Sequence, residues 1–248
     1  MNKTGIQWTD ITWNPVTGCD PISPGCDHCY AEVMARRFAG RKGWGPKDDP
    51  FGVTYRIQRL AVKFPKKPKR IFVCSMADLF HPKVPSQFIR QVFKVIHENP
   101  AHTFQILTKR PEKMARECAK WMPGSFLPNL WLGVTAENQA MANKRIPILR
   151  EIPAALRFVS CEPLIGPIEF DYYLDWIDWV IIGGETGKGA REMSEDWAFE
   201  IIGKCVMVET PVFLKQWGSA SPLAGHLAIR DELKRFPTTI QRIQNGQR

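Results

Sequence analysis

From residue 70 to residue 216 the chain alternates short apolar runs with polar stretches and helical segments. The runs are 70–75, 103–107, 130–134, 156–160, 179–182 and 212–214, each rich in β-branched or aromatic residues. Between them, 85–99 places Phe88, Val92, Phe93, Val95 and Ile96 at helical spacing, and 111–121, 139–150 and 194–204 read as further helices. Strands that alternate with helices pair in parallel, and near-continuous apolar strands are covered on both faces. Each crossover is then right-handed. With a first short strand at 10–14, the expectation is an α/β chain built as a partial (β/α)6-7 TIM-type barrel with parallel strands over residues 1–218. Residues 40–55 read as loop, 56–62 as a short strand or helix turn, and 219–248 as a loosely packed polar C-terminal tail.

Every later strand ends in polar or charged residues. They are Ser75 and Asp78, then Thr108, Lys109 and Arg110, then Glu137 and Asn138, then Glu162, Glu185, and Lys215 with Gln216. In a parallel barrel these ends meet on one rim, where active sites form.

Ahead of that series lies the stretch CDPISPGCDHCY, with Cys19, Cys26 and Cys29 spaced C-x6-C-x2-C before a helical segment that starts at Tyr30. The N-terminus has no apolar core of a signal peptide, and no run reaches the roughly 18 apolar residues of a membrane span. A reducing cytoplasm is therefore expected, where clustered thiols serve as metal ligands more often than as disulfides. Three thiolates leave one iron of a four-iron cluster open to a substrate or cofactor. Zinc is the competing occupant, with Cys19, Cys26, His28 and Cys29 as its ligands in a non-enzymatic nucleic-acid-binding protein. Of the remaining cysteines, Cys74, Cys161 and Cys205 sit in or beside apolar runs, as small buried hydrophobes do, and Cys118 is isolated.

The net charge of +9 favours anionic partners: DNA, RNA or a nucleotide. The densest basic run, Lys66–Arg70, precedes a buried strand. The glycines of 183–189 do not make a phosphate loop, because Lys188 is followed by Gly189 and not by Ser or Thr. The histidines at 28, 81, 97, 102 and 226 show no paired metal spacing, and His97 and His102 read as surface residues. Trp8, Trp13 and Trp44 flank the cysteine stretch, where they pack a core, shield a cluster or stack on a base.

A three-cysteine loop after the first strand of a βα barrel, with an aromatic after its last cysteine, resembles the radical S-adenosylmethionine (SAM) superfamily, although the usual loop there is C-x3-C-x2-C. In order, TWNPVTGC, SPGCDHCYAE, SMADLFH, LTKRPEKM, LGVTAEN, SCEPLIGPI, GGETGKGAREM and FLKQWG are similar to a phage-type family of unassigned function with a radical-SAM-like core. The resemblance spans residues 6–218, and the layout is distantly like that of the spore photoproduct lyases. It implies a 4Fe-4S cluster on Cys19, Cys26 and Cys29, SAM on the open iron, and an electron donor such as flavodoxin or ferredoxin. It further implies that Ser75 and Asp78 meet the SAM amino group, that Lys109 or Arg110 pairs with its carboxylate, and that Glu137 or Asn138 takes the ribose hydroxyls. Glu162, Glu185 and Lys215 would then be catalytic residues facing the substrate.

Overall fold

The computed structural model describes residues 4–223, 229 and 231–237. The chain opens with β1 (Ile11–Trp13) and β2 (Val16–Thr17), passes through the cysteine stretch into α1 (Tyr30–Arg37), and returns as β3 (Thr54–Tyr55). Next come β4 (Arg70–Val73), α2 (Ser86–His97), β5 (Thr103–Thr108), α3 (Pro111–Trp121), β6 (Leu130–Thr135) and α4 (Gln139–Arg150). β7 (Leu156–Cys161), β8 (Trp179–Gly183), α5 (Glu195–Met207) and β9 (Val212–Gln216) complete the series. Seven strands form one sheet in the order β1-β4-β5-β6-β7-β8-β9, and every pairing is parallel. The expected partial barrel of parallel strands is therefore present. One departure lies in 40–55, read as loop throughout: Thr54–Tyr55 pairs antiparallel with Val16–Thr17 and ties that region to the start of the cysteine stretch.

Alternation along the strands sorts the core into two parts. Ile71, Val73, Ile106, Leu132, Val159, Ile182 and Leu214 face the helices. Phe72, Trp131, Phe158, Trp179, Ile181 and Phe213 face inward and form a separate aromatic cluster around Trp8. The Trp8 indole lies 4.6 Å from Phe72, 6.4 Å from Phe158 and 6.3 Å from Trp179, centroid to centroid. One ring meets side chains of β4, β7 and β8 only if the sheet curls around it. Trp8 and Trp13 are thus core residues, whereas Trp44 is half-buried near α1.

The described part of 219–248 is not loose. Lys234 bridges to Phe213, the Trp179 Nε1–H donates to the Arg235 carbonyl at 2.9 Å, and Phe236 lies 5.6 Å from Trp179 and 5.1 Å from Phe213. The Arg70 guanidinium stands 3.8 Å above the Phe236 ring. A segment bonded to β9 thereby reaches the start of β4 and covers the barrel at the end where its strands begin. Residues 224–228, with His226, and 238–248 lie outside the described residues.

His102, expected on the surface, is buried against Phe64 and Phe104. The Lys69 backbone N–H donates to its Nδ1 at 3.1 Å, so the ring is neutral, and burial pushes its pKa below the usual histidine range. In the unfolded chain the ring takes a proton near roughly pH 6.5. Its contribution to stability is therefore full above that value and declines as the pH falls below it, because the unfolded state binds the proton first. We expect urea midpoints to fall between about pH 7.5 and pH 5.5, and to fall less steeply in His102→Gln.

Candidate functional site

Cys19 to Cys29 arch over the end of the barrel where the strands terminate. The arch begins at Gly18, whose φ of +85° and close approach to Gly52 admit no side chain: a Cβ there would lie 2.2 Å from the Gly52 carbonyl oxygen. Gly18 also bridges in parallel to Ala77, and the Cys19 N–H donates to the Phe51 carbonyl at 3.1 Å. The arch ends at Cys29, the N-cap of α1.

Strand-end side chains hold this arch at several points. After β4, Asp78 is buried and fully engaged: it accepts from the Thr108 hydroxyl at 2.7 Å, from the Phe80 and Lys109 backbone N–H groups, and from the Arg110 guanidinium at 3.0 Å. Arg110, oriented in this way, donates to the Cys19 Sγ at 3.4 Å and to the Asp20 carbonyl at 2.8 Å. Burial pushes the Cys19 thiol up, opposed by the charge of Arg110. His81 is buried as well. Its Nδ1 accepts from the Lys83 N–H, so Nε2 carries the proton and donates to Asp20 at 3.0 Å.

After β6, Glu137 is fully buried. It pairs with Arg145 of α4 at 2.7 Å and accepts from the Gly25 N–H at 3.2 Å, in the middle of the arch. Burial opposes the charge of Glu137, but Arg145, Ser23 and Gly25 together hold its pKa below the usual carboxylate range. A Cβ on Gly25 would lie 3.0 Å from the Glu137 carboxyl carbon, a close approach that would oblige the Glu137 side chain to shift. After β8, Glu185 is buried and receives three hydrogen bonds from Arg191, the shortest at 2.6 Å, and contacts His28 Nδ1 at 2.9 Å. Arg191 in turn donates to the Pro24 carbonyl at 2.8 Å and meets Asp27 at 3.2 Å.

The inward-facing rows of the barrel continue above the aromatic cluster as polar residues. Glu162 follows β7 and forms an ion pair with Lys215 of β9 at 2.8 Å. Its other oxygen accepts from the Trp8 Nε1–H at 3.1 Å and from the Ser160 hydroxyl at 3.2 Å. Both partners of the pair keep some exposure, 15% and 22% of their side chains, on the side of the strand ends.

The expected site residues therefore fall into groups. Asp78, Arg110, Glu137 and Glu185 clasp the cysteine arch, while Glu162 and Lys215 meet inside the barrel. The Ser75 hydroxyl donates to Asn14 at 3.1 Å. Asn138 caps α4 by accepting from the Met141 N–H at 3.1 Å, and Lys109 is half-buried on the rim. Arg145 and Arg191 complete the clasp and were not singled out in the sequence. Arg145 does leave a trace there, as a charged residue at helical spacing between Ala142, Ile146 and Leu149.

Cys19, Cys26 and Cys29 are free and half-buried, whereas Cys74, Cys118, Cys161 and Cys205 are free and buried. Burial pushes the Cys74, Cys118 and Cys205 thiols up to about 12 and raises Cys161 well above the usual thiol range, as suits inert core residues. Three free thiols on one arch are the donor chemistry a metal cluster takes, and Arg110 beside Cys19 offsets part of the burial that raises its pKa. Among the described residues no three His, Cys, Asp or Glu side chains are gathered closely enough to share a metal ion. His28 meets Glu185 through Nδ1. No helix among the described residues is long and apolar enough to cross a membrane.

Residues 3–243 match a family described as "Protein of unknown function (DUF5131)". No curated protein matches the chain. Among solved structures, the chain is similar to spore photoproduct lyase complexed with dinucleoside spore photoproduct, at 9% identity and a TM-score of 0.48, covering 82% of this chain and 62% of that one. It is similar to a cysteine-to-serine mutant of spore photoproduct lyase, at 11% identity and 0.49, covering 81% and 62%. A double mutant with bound AdoMet and dinucleoside spore photoproduct gives 10% identity and 0.48, covering 82% and 62%. The chain thus spans less than two thirds of each of these structures.

Proposed function

This chain belongs to the DUF5131 family, and from the arrangement at its strand ends we propose that it is a radical SAM enzyme acting on an anionic substrate. The observation that carries the reading is the clasped arch: three free thiols on one loop, held over the open end of a parallel barrel by residues from four strand ends. Cys19, Cys26 and Cys29 would hold a 4Fe-4S cluster. When bound, such a cluster supplies the electron, received from a flavodoxin or ferredoxin, that cleaves a carbon–sulfur bond of SAM to release an organic radical.

The chain's own residues have the remaining tasks. Arg110, Glu137 and Arg191 fix the arch by its backbone and flanks, and Arg110 also donates to the Cys19 Sγ. Lys109 carries its ammonium to the rim, where it would pair with the SAM carboxylate. Ser75 and Asn138 stand on the same rim and would meet the amino group and the ribose. The engagement of Asp78, Glu137 and Glu185 supports positioning roles for these three. Glu162 and Lys215, backed by Trp8 and Ser160, would orient the substrate beneath the arch.

Anaerobic purification tests the reading. A brown protein with broad visible absorption and about four irons per chain is expected, together with SAM cleavage on reduction. The cleavage product tells a 5′-deoxyadenosyl radical from a 3-amino-3-carboxypropyl radical. A colourless protein with one stoichiometric zinc overturns the proposal.

A further inference from the structure

The basic charge is not spread over the molecule. Residues 30–70 hold twelve Lys and Arg against three Asp and Glu, a net of +9 that equals the net charge of the whole chain. The other residues balance. Within that stretch, Lys66 to Arg70 lead into β4 at the end of the barrel away from the arch. Arg36, Arg37, Arg41, Lys42 and Lys47 instead lie on α1 and the loop after it. That loop returns to the arch where Phe51 accepts from the Cys19 N–H. Five of the twelve basic residues, accompanied by Glu32, Asp48 and Asp49, therefore flank the candidate site on one side.

α1 is short and barely packed. Of its eight residues only Ala31 and Ala35 are buried; Val33 is 62% exposed, whereas Tyr30, half exposed, turns its hydroxyl inward to donate to the Ser75 carbonyl. A helix this short is not stable by itself, so outward-facing apolar and basic side chains are an unusual investment for it. Arg36 pairs with Glu32 at 2.6 Å. The Arg37 and Arg41 guanidinium groups approach the Phe38 ring at 5.5 and 5.0 Å, and Trp44 leans on that ring at 4.9 Å. Cations interleaved with half-exposed rings suit a strand that presents both phosphates and unstacked bases.

We propose that α1 and residues 38–47 form a docking surface for single-stranded nucleic acid that delivers the strand to the mouth beneath the cysteine arch. This names the substrate class of the site proposed above and rests on that reading for what happens at the mouth. Docking itself needs no cofactor and is measured without one.

The test is fluorescence anisotropy of the full chain, as purified, with labelled 16-nucleotide DNA and RNA strands over a salt series. Contacts to three or four phosphates predict a plot of log affinity against log salt with a slope of about −2 to −3. Combining Arg37→Ala, Arg41→Ala and Lys42→Ala should flatten that slope by about 2 and lower affinity by tenfold or more. Trp44→Ala should weaken binding by roughly tenfold without changing the slope. Combining Lys63→Ala, Lys66→Ala and Lys67→Ala, of equal charge on the other end, should leave affinity unchanged. The DNA and RNA arms tell which strand is preferred. Equal losses from the two triple variants overturn the proposal, as does displacement of the strand by polyglutamate as readily as by unlabelled strand. Capture by anionic vesicles with no affinity for either strand overturns it in favour of a membrane surface. A chain that binds strands yet contains zinc keeps this surface and loses the enzyme; a chain with a cluster that binds none loses only the surface.

Discussion

Cys26→Ala yields a folded protein that holds no four-iron cluster and does not cleave SAM. The side chain is half-buried on the arch, and its thiol stands 4.0 Å from the Ser23 hydroxyl. Its removal touches no core contact, and surface changes of this kind alter stability by no more than about 0.5 kcal/mol. Loss of one thiolate from a set of three, in contrast, removes a ligand that no neighbour replaces: the other free cysteines are buried. The measurements are iron content after anaerobic reconstitution, urea unfolding, and product analysis. Retained cluster and activity would remove Cys26 from the ligand set. Because the three thiols would have to converge on a bound cluster, hydrogen exchange within 19–29 should also slow on reconstitution of the wild type and not of this variant.

The second large effect is expected at Glu137. Glu137→Ala leaves the Arg145 charge unpaired in the core, and breaking a buried pair in this way costs about 3–5 kcal/mol. The folded carboxyl has its pKa below the usual carboxylate range, so the wild-type pair contributes fully above the unfolded pKa and is lost as the pH falls through the folded one. Adding Arg145→Met to Glu137→Ala should restore most of the stability, since the buried charge is then gone. It should not restore the hydrogen bond to the Gly25 N–H. The double variant therefore separates the two roles of one carboxylate: urea midpoints recover, while exchange at residues 23–26 stays fast and cluster yield stays low. If exchange in the arch matched the wild type, Glu137 would have no part in holding it.

Much of the frame was legible from periodicity. α3 and α4 have the bounds their apolar spacing predicts, and the inner strands of the sheet agree to a residue or two, because continuous β-branched runs between helices admit few other structures. Thr54–Tyr55 was not legible: a two-residue strand within a Gly- and Pro-rich stretch has no period to display. His102 was misjudged because its burial comes from Phe64, far away in sequence. The site was legible as a set and not in its roles. Polar residues at strand ends do converge, but sequence does not say whether they will face a ligand or one another. Asp78, Glu137 and Glu185 each found protein partners, and two of those partners, Arg145 and Arg191, lie beyond the strand-end pattern. Trp8 was grouped with the cysteines by proximity along the chain, yet it lines the barrel, since β1 carries the chain from one end of the barrel toward the other.

The aromatic stopper at the lower end of the barrel gives it a floor. Trp8, Trp179, Phe213 and Phe236 pack together there, while the edge strands β1 and β9 are not paired with each other. In the proposed enzyme a ligand meeting Glu162 and Lys215 would rest on that floor, and would arrive past the arch or through the open side of the sheet.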